Sequence, residues 1–246
     1  MNTVRIDRAA LKQDARAAMR AHKPSVYAVT FVFLLITIVL EALSAKLQYP
    51  GLTLGEIMRY AYDELQISRL ISASANQSGL AKLLDAAVGI MNVMLSGGFM
   101  LFCLYVCRRE DAGCGTLFDL FGYFFRFLWL NIVVGFFISL WTLLLVIPGI
   151  VAAYRYSMAV YIFFDDPNKG AMQCIRESRT MTMGNKGQLF LMDLSFIGWA
   201  LLSAIPFVSL FTLPYIGVTK ANCYRLLSGQ ADGQARRQYG DDPWQT

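Results

Sequence analysis

From Phe127 to Tyr154 the chain carries no Asp, Glu, Lys, Arg or His. A helix needs about 20 apolar residues to cross the hydrocarbon core of a bilayer, and this run is long enough to hold one span and the start of another. Comparable runs begin at Ser25 and at Ala86. Charged residues make up 16% of the 246 residues and hydrophobic ones 56%, whereas soluble domains carry about 25% charged residues. The deficit sits in the long runs and is not spread evenly. The sequence therefore predicts an all-α fold: a polytopic transmembrane helical bundle of about six spans, with amphipathic interfacial helices.

The chain divides into three parts. Residues 1–24 read as a basic amphipathic helix, with Arg5, Lys12, Arg16, Arg20 and Lys23 on one face and Leu11, Ala15, Ala18 and Met19 on another. Residues 25–228 read as one transmembrane domain, with spans near 25–45, 83–107, 128–147, 149–165, 188–208 and 211–228. Residues 229–246 are polar and read as a disordered tail. Ala42-Leu43-Ser44 resembles a signal-peptide cleavage site, but the long basic lead and the later spans weigh against cleavage. Loop 46–80 contains a turn at Pro50-Gly51 and a segment with helical period that suits a helix on the outer face. Pro148-Gly149 marks the turn between the third and fourth spans, and the sixth span is broken at its proline. Residues 165–187 form a second amphipathic helix, with Asp166 as N-cap, Pro167 at the first helical position and Gly184 at the end. Gly89, Ser96, Gly97 and Gly98 are small enough to let helices approach closely in lipid.

The net charge of +5 reads as topology. Lys and Arg gather in short segments beside apolar runs, which is the pattern of cytoplasmic loops and not of a nucleic-acid-binding face. Both termini and the 165–187 loop then lie in the cytoplasm. Lys12, Arg16, Arg20, Arg176, Arg179 and Lys186 are placed to meet anionic headgroups of the inner leaflet, or simply to orient the spans in solvated helices. Membrane lipids are the expected partners, with a protein partner or a second copy also open, and no nucleic acid. The five cysteines lean toward the cytoplasmic side, where thiols stay reduced. Cys107, Cys114 and Cys174 match no metal-ligand spacing, and His22 is the only histidine. No metal or other cofactor is implied.

Four ionisable residues fall inside the expected spans: Glu41, Arg155, Asp193 and Lys220. Each costs at least about 2.5–3.5 kcal/mol in a span unless it meets a partner or water. Asp193 and Lys220 share a depth from the inner face, so Asp193 suits the role of counter-ion to Lys220, to Arg155 or to both. These groups are either structural pairs that fix helix order or the lining of a polar cavity for an anion, a lipid headgroup or a peptide. LVIPGIVAAYRYSMAVY and FTLPYIGVTKANCYRLL echo one another, each with a proline, small residues, a cation and a tyrosine. No second histidine, nucleotide-binding glycine loop or nucleophile beside an identifiable base is present, so the expectation is a protein without enzymatic activity.

The stretches IPGIVAAYRYSMAVYI, DDPNKGAMQCIRESRTMTMGNKGQLFLMDLSFIGW and PYIGVTKANCY resemble the bacterial integral membrane proteins of domain-of-unknown-function family nine-seven-five. The run from Arg179 to Trp199 is the most specific part. More distantly, the loop with Ser-Arg followed by Gly and a basic residue looks like the membrane domain attached to some glycerophosphodiester phosphodiesterases. The resemblance implies a polytopic inner-membrane protein of a Gram-positive-type bacterium and carries over no activity or catalytic residue. Three classes of function remain: transport or export of a small solute, lipid or peptide; an accessory or membrane-organising role; and the membrane module of a lipid-headgroup pathway.

Overall fold

The structure, a computed structural model, describes residues 7–22, 25–48, 79–202 and 206–229. Arg5, Lys23, the outer-loop helix within 49–78 and the tail from residue 230 lie outside the described residues. Every regular element among the described residues is a helix. Helix α1 spans Arg8–Ala21, capped by Asp7, whose carboxylate accepts from the backbone of Ala9 at 2.9 Å and of Ala10 at 3.3 Å. Helix α2 spans Val26–Gln48 and α3 spans Gly79–Arg108. They run side by side in opposite directions, with the Phe33 and Phe99 rings stacked at 4.5 Å. A 3-10 helix, Cys114–Tyr123, then packs back along α3 and leads into α4, Phe124–Leu144.

Helices α5, Val146–Tyr156, and α6, Ala159–Asp165, return against α4. The turn between α4 and α5 is at Leu145, whose extended backbone (φ −162°, ψ 142°) breaks the helix. The turn expected at Pro148-Gly149 is thus displaced. Pro148 is the third residue of α5, where its missing N–H is one of those left free anyway. Gly149 serves packing instead, since a Cβ there would lie 2.8 Å from Cα of Thr142 on α4. The fourth span also has an interruption at Ser157–Met158. The Met158 N–H donates to Ser178 Oγ at 3.2 Å, and Ser178 Oγ donates to the Arg155 carbonyl at 2.8 Å.

The expected helix at 165–187 is shorter. Helix α7 runs Ala171–Met181 with Gly170 as its N-cap. Asp166 caps a turn ahead of it by accepting from Asn168 N at 3.0 Å, because Asn168 and Lys169 close that turn before a helix can start. Gly184 does take the left-handed conformation, at φ 87°, beyond the helix end. The expected fifth span is two short helices, α8, Lys186–Leu194, and α9, Ile197–Leu202, separated at Ser195. The expected broken sixth span is one helix, α10, Pro206–Ser228, with Pro214 inside it. The two echoing segments therefore differ locally: one proline opens a helix and the other sits within one.

Among the described residues, four helical stretches are long and apolar enough to cross a membrane: Val26–Leu47, Gly79–Arg108, Cys114–Leu144 and Val146–Asp165. The packed core lies toward one end of them. There Phe102, Leu104, Leu117, Phe127, Phe163 and Val218 are buried together. Arg108, Asp165 and Tyr224 close this end, with Asp165 bonded to Arg108 and to the Tyr224 hydroxyl. At the other end the helices present apolar side chains outward, Leu143 being 86% and Ile147 76% exposed at the α4–α5 tip. Such a tip is stable only where the surroundings are themselves apolar. Helix α1 does not lay its apolar face on lipid. Leu11, Ala15, Ala18 and Met19 are buried against α10 and α3, which offer more apolar contact than a headgroup layer does.

Candidate functional site

Helix α7 places Ser178 and Thr182 one turn apart on its buried face, and both hydroxyls reach the Arg155 carbonyl, at 2.8 and 3.4 Å. This ties the loop after α7 to the C-terminal turn of α5. Gly184 then reverses the chain, Asn185 is buried, and Lys186 opens α8. The charges of Arg155 and Arg179 both reach Lys186. Lys186 is held below the ordinary lysine range, first by partial burial and then by the charges of Arg155 and Arg179. Among the described residues none of these three makes an ion pair. Arg155 Nε and Asn185 Oδ1 are buried without a hydrogen-bond partner. An unmet buried donor costs about 1–3 kcal/mol.

Asp193 and Lys220 form an ion pair at 3.2 Å between α8 and α10, with the lysine side chain 42% and the aspartate 30% exposed. The Tyr154 hydroxyl of α5 lies near the same carboxylate. Arg155, next in sequence to Tyr154, is not part of that ion pair; its charge acts on Lys186. Glu41 is remote from both, accepting from Asn92 Nδ2 at 3.2 Å between α2 and α3.

The basic face of α1 splits three ways. Lys12 is not lipid-facing: its Nζ donates to Ser195 Oγ at 2.9 Å and lies 4.5 Å from the Phe196 ring centroid. Its amine is held below the ordinary range by burial, then by Arg8 and Arg16. Arg16 donates to the Tyr215 hydroxyl at 3.3 Å, and Arg20 is exposed. Arg176 lies on the exposed face of α7. Nothing in the sequence sets Tyr154, Ser178, Trp199 and Tyr215 apart, because aromatic and hydroxyl residues are common in any bundle. The signal that could have marked Tyr154 was its adjacency to Arg155.

Lys169 and Glu177 pair at 2.7 Å across the start of α7. The hydrogen bond from Lys169 holds the Glu177 carboxyl below its usual range, and the same bond holds Lys169 above its own. The carboxylate contribution is present above about pH 4.3 and fades as pH falls through the lowered value; the lysine contribution is complete below about pH 10.4 and fades only above the raised value. Glu177→Gln is expected to lower stability by less than about 1 kcal/mol, since the pair is partly exposed. Thermal melts should show the same small loss at pH 6 and pH 8.

The chain matches no curated protein and no solved structure. The family match falls on the segment that supplies Arg155, the Ser178–Lys186 loop, Asp193 and Lys220. Over residues 142–231 the chain matches the family described as protein of unknown function (DUF975).

Proposed function

We propose that this is a multi-pass protein of the bacterial cytoplasmic membrane, with both termini in the cytoplasm, that holds anionic lipid at the inner leaflet and catalyses no reaction. The observation that carries this reading is the Arg155–Arg179–Lys186 group. The charges of Arg155 and Arg179 both act on Lys186, none of the three forms an ion pair among the described residues, and Arg155 Nε is buried without a hydrogen-bond partner. A phosphate diester supplies both the charge and the acceptors that are missing. Positive loops favour the cytoplasmic face, which puts these cations beside the anionic leaflet.

The test is thermal unfolding of the purified chain in neutral detergent, titrated with phosphatidylglycerol or phosphatidylcholine. Lipid that binds only the folded state stabilises it by RT ln(1 + [L]/Kd), about 2.7 kcal/mol at a hundredfold excess over Kd. Phosphatidylglycerol is expected to raise the midpoint and phosphatidylcholine is not. Arg179→Gln with Lys186→Gln should remove most of that response and leave the midpoint without lipid unchanged or higher, because mutual repulsion is relieved. An equal response to both lipids would refute the reading.

Transport of a small solute, lipid or peptide is the second reading. It is favoured by the Asp193–Lys220 bridge, a partly exposed ionic contact between α8 and α10 that can open and reform. The same titration separates the two, since a small-solute carrier has no reason to gain stability from one lipid headgroup over another.

A further inference from the structure

Where α1 crosses α10, a cavity of about 280 Å³ opens between the two helices. Arg16, Arg20, Tyr27, Trp199, Phe211 and Tyr215 line it. Its chemistry is divided. One wall carries two guanidinium groups one turn apart on α1. The other carries aromatic rings that touch one another: Tyr27 with Phe211 at 5.2 Å and Trp199 with Tyr215 at 6.1 Å between centroids. Arg16 is held in place by the Tyr215 hydroxyl at 3.3 Å and stands 5.3 Å from that ring's centroid. Its remaining N–H groups, and those of exposed Arg20, are free to turn toward the cavity.

The rings that face outward identify the medium at the mouth. Tyr27, Trp199 and Phe211 are all exposed, and Tyr27 stands one residue into α2, where the first span begins. Tyr and Trp at the ends of apolar helices sit at headgroup depth, with an apolar body toward the acyl chains. A ligand here meets two cations at its inner end and aromatic carbon at its outer end. A free anion would use only the first of these, and a neutral apolar molecule only the second.

We infer that this cavity is a binding site for a single anionic glycerophospholipid, with its phosphate diester between Arg16 and Arg20 and its acyl chains leaving past Trp199 and Phe211. The inference rests on the anionic-lipid reading of the protein but uses none of the residues that carry it. Arg155, Arg179 and Lys186 belong to other elements, so the two sites can fail separately.

The experiment uses Trp199 as the reporter. Trp129, Trp141 and Trp244 are replaced by phenylalanine, and the full chain is reconstituted in phosphatidylcholine vesicles. Lipids with brominated acyl chains quench a tryptophan only on contact. Brominated phosphatidylglycerol is expected to quench Trp199 with an apparent affinity about tenfold that of brominated phosphatidylcholine, equivalent to about 1.4 kcal/mol. Arg16→Gln with Arg20→Gln should bring that ratio to about one, while Arg155→Gln with Lys186→Gln leaves it unchanged. Both α1 arginines are exposed, so their replacement leaves the fold intact. Equal quenching by the two lipids in the parent chain overturns the site, as does a preference that survives loss of Arg16 and Arg20. Relief of quenching by millimolar inorganic phosphate would make the occupant a free anion and also overturn it. If phosphatidylglycerol still raises the unfolding midpoint while Trp199 shows no preference, the cavity assignment has failed and the broader lipid reading stands.

Discussion

Adding one methyl group at Gly98, as Gly98→Ala, is expected to take apart the packed end of the bundle. A Cβ at this position would lie 2.7 Å from the backbone carbon and 2.8 Å from the Cα of Leu117, and closer still to the Leu117 carbonyl oxygen. These are backbone atoms of the 3-10 helix, so no side chain can swing aside. Either that helix or α3 must move, and Leu117, Leu120 and Phe127 are buried on the contact. Overpacking costs about 1–3 kcal/mol where side chains can adjust, and more where they cannot. A loss of about 3 kcal/mol or more is a large share of the roughly 5–15 kcal/mol that separates folded from unfolded chains. Gly89→Ala is the matched control, since nothing lies within 4 Å of a Cβ there, and alanine in a helix interior gains about 0.5–1 kcal/mol over glycine. Size-exclusion profiles in mild detergent and tryptophan-monitored melts should separate the two variants widely. Equal midpoints for Gly98→Ala and the parent chain would show that the α3 contact is not as close as described.

Asp193→Asn is expected to produce the second largest loss, about 2 kcal/mol. It leaves Lys220 charged and without its partner at the side of the bundle. Removing one member of a buried pair costs about 3–5 kcal/mol, discounted here because the pair is partly exposed. Lys220→Met should cost less, because the Tyr154 hydroxyl stays near Asp193. Exchanging the charges, with Asp193→Lys and Lys220→Asp together, should restore most of the loss. Chemical-denaturation midpoints of the four chains check this directly. No recovery in the double variant would mean that the two groups act on separate neighbours.

The first four apolar stretches were legible because hydrocarbon thickness and the exclusion of charge act on each stretch by itself. Element ends were less so. Pro148 looks like a turn, yet a proline in the first turn of a helix breaks nothing, and the chain reverses at Leu145. Asp166 has the chemistry of a cap but is taken up by a nearer turn, so α7 begins at Ala171. The interruptions at Ser157–Met158 and at Ser195 have a shared cause that no local pattern carries: a partner from elsewhere in the chain, Ser178 in one case and Lys12 in the other, engages the helix there.

The site divides along the same line. Asp193 and Lys220 could be proposed as partners because two unlike charges at one depth in an apolar medium have few alternatives. Tyr154 could not be singled out, and neither could the separation of Arg155 from that pair, since both depend on how α5, α7 and α8 meet. The pocket at Arg16 and Arg20 depends on α1 lying against α10, about the whole length of the chain away. What the sequence determined alone was the helical class and the stretches long and apolar enough to cross a membrane, because both follow from the free energy of moving single residues between water and hydrocarbon. Which cation meets which acid, and where an anion can enter, was decided only by tertiary packing, because those pairings are set by distances between helices that no stretch of sequence encodes by itself.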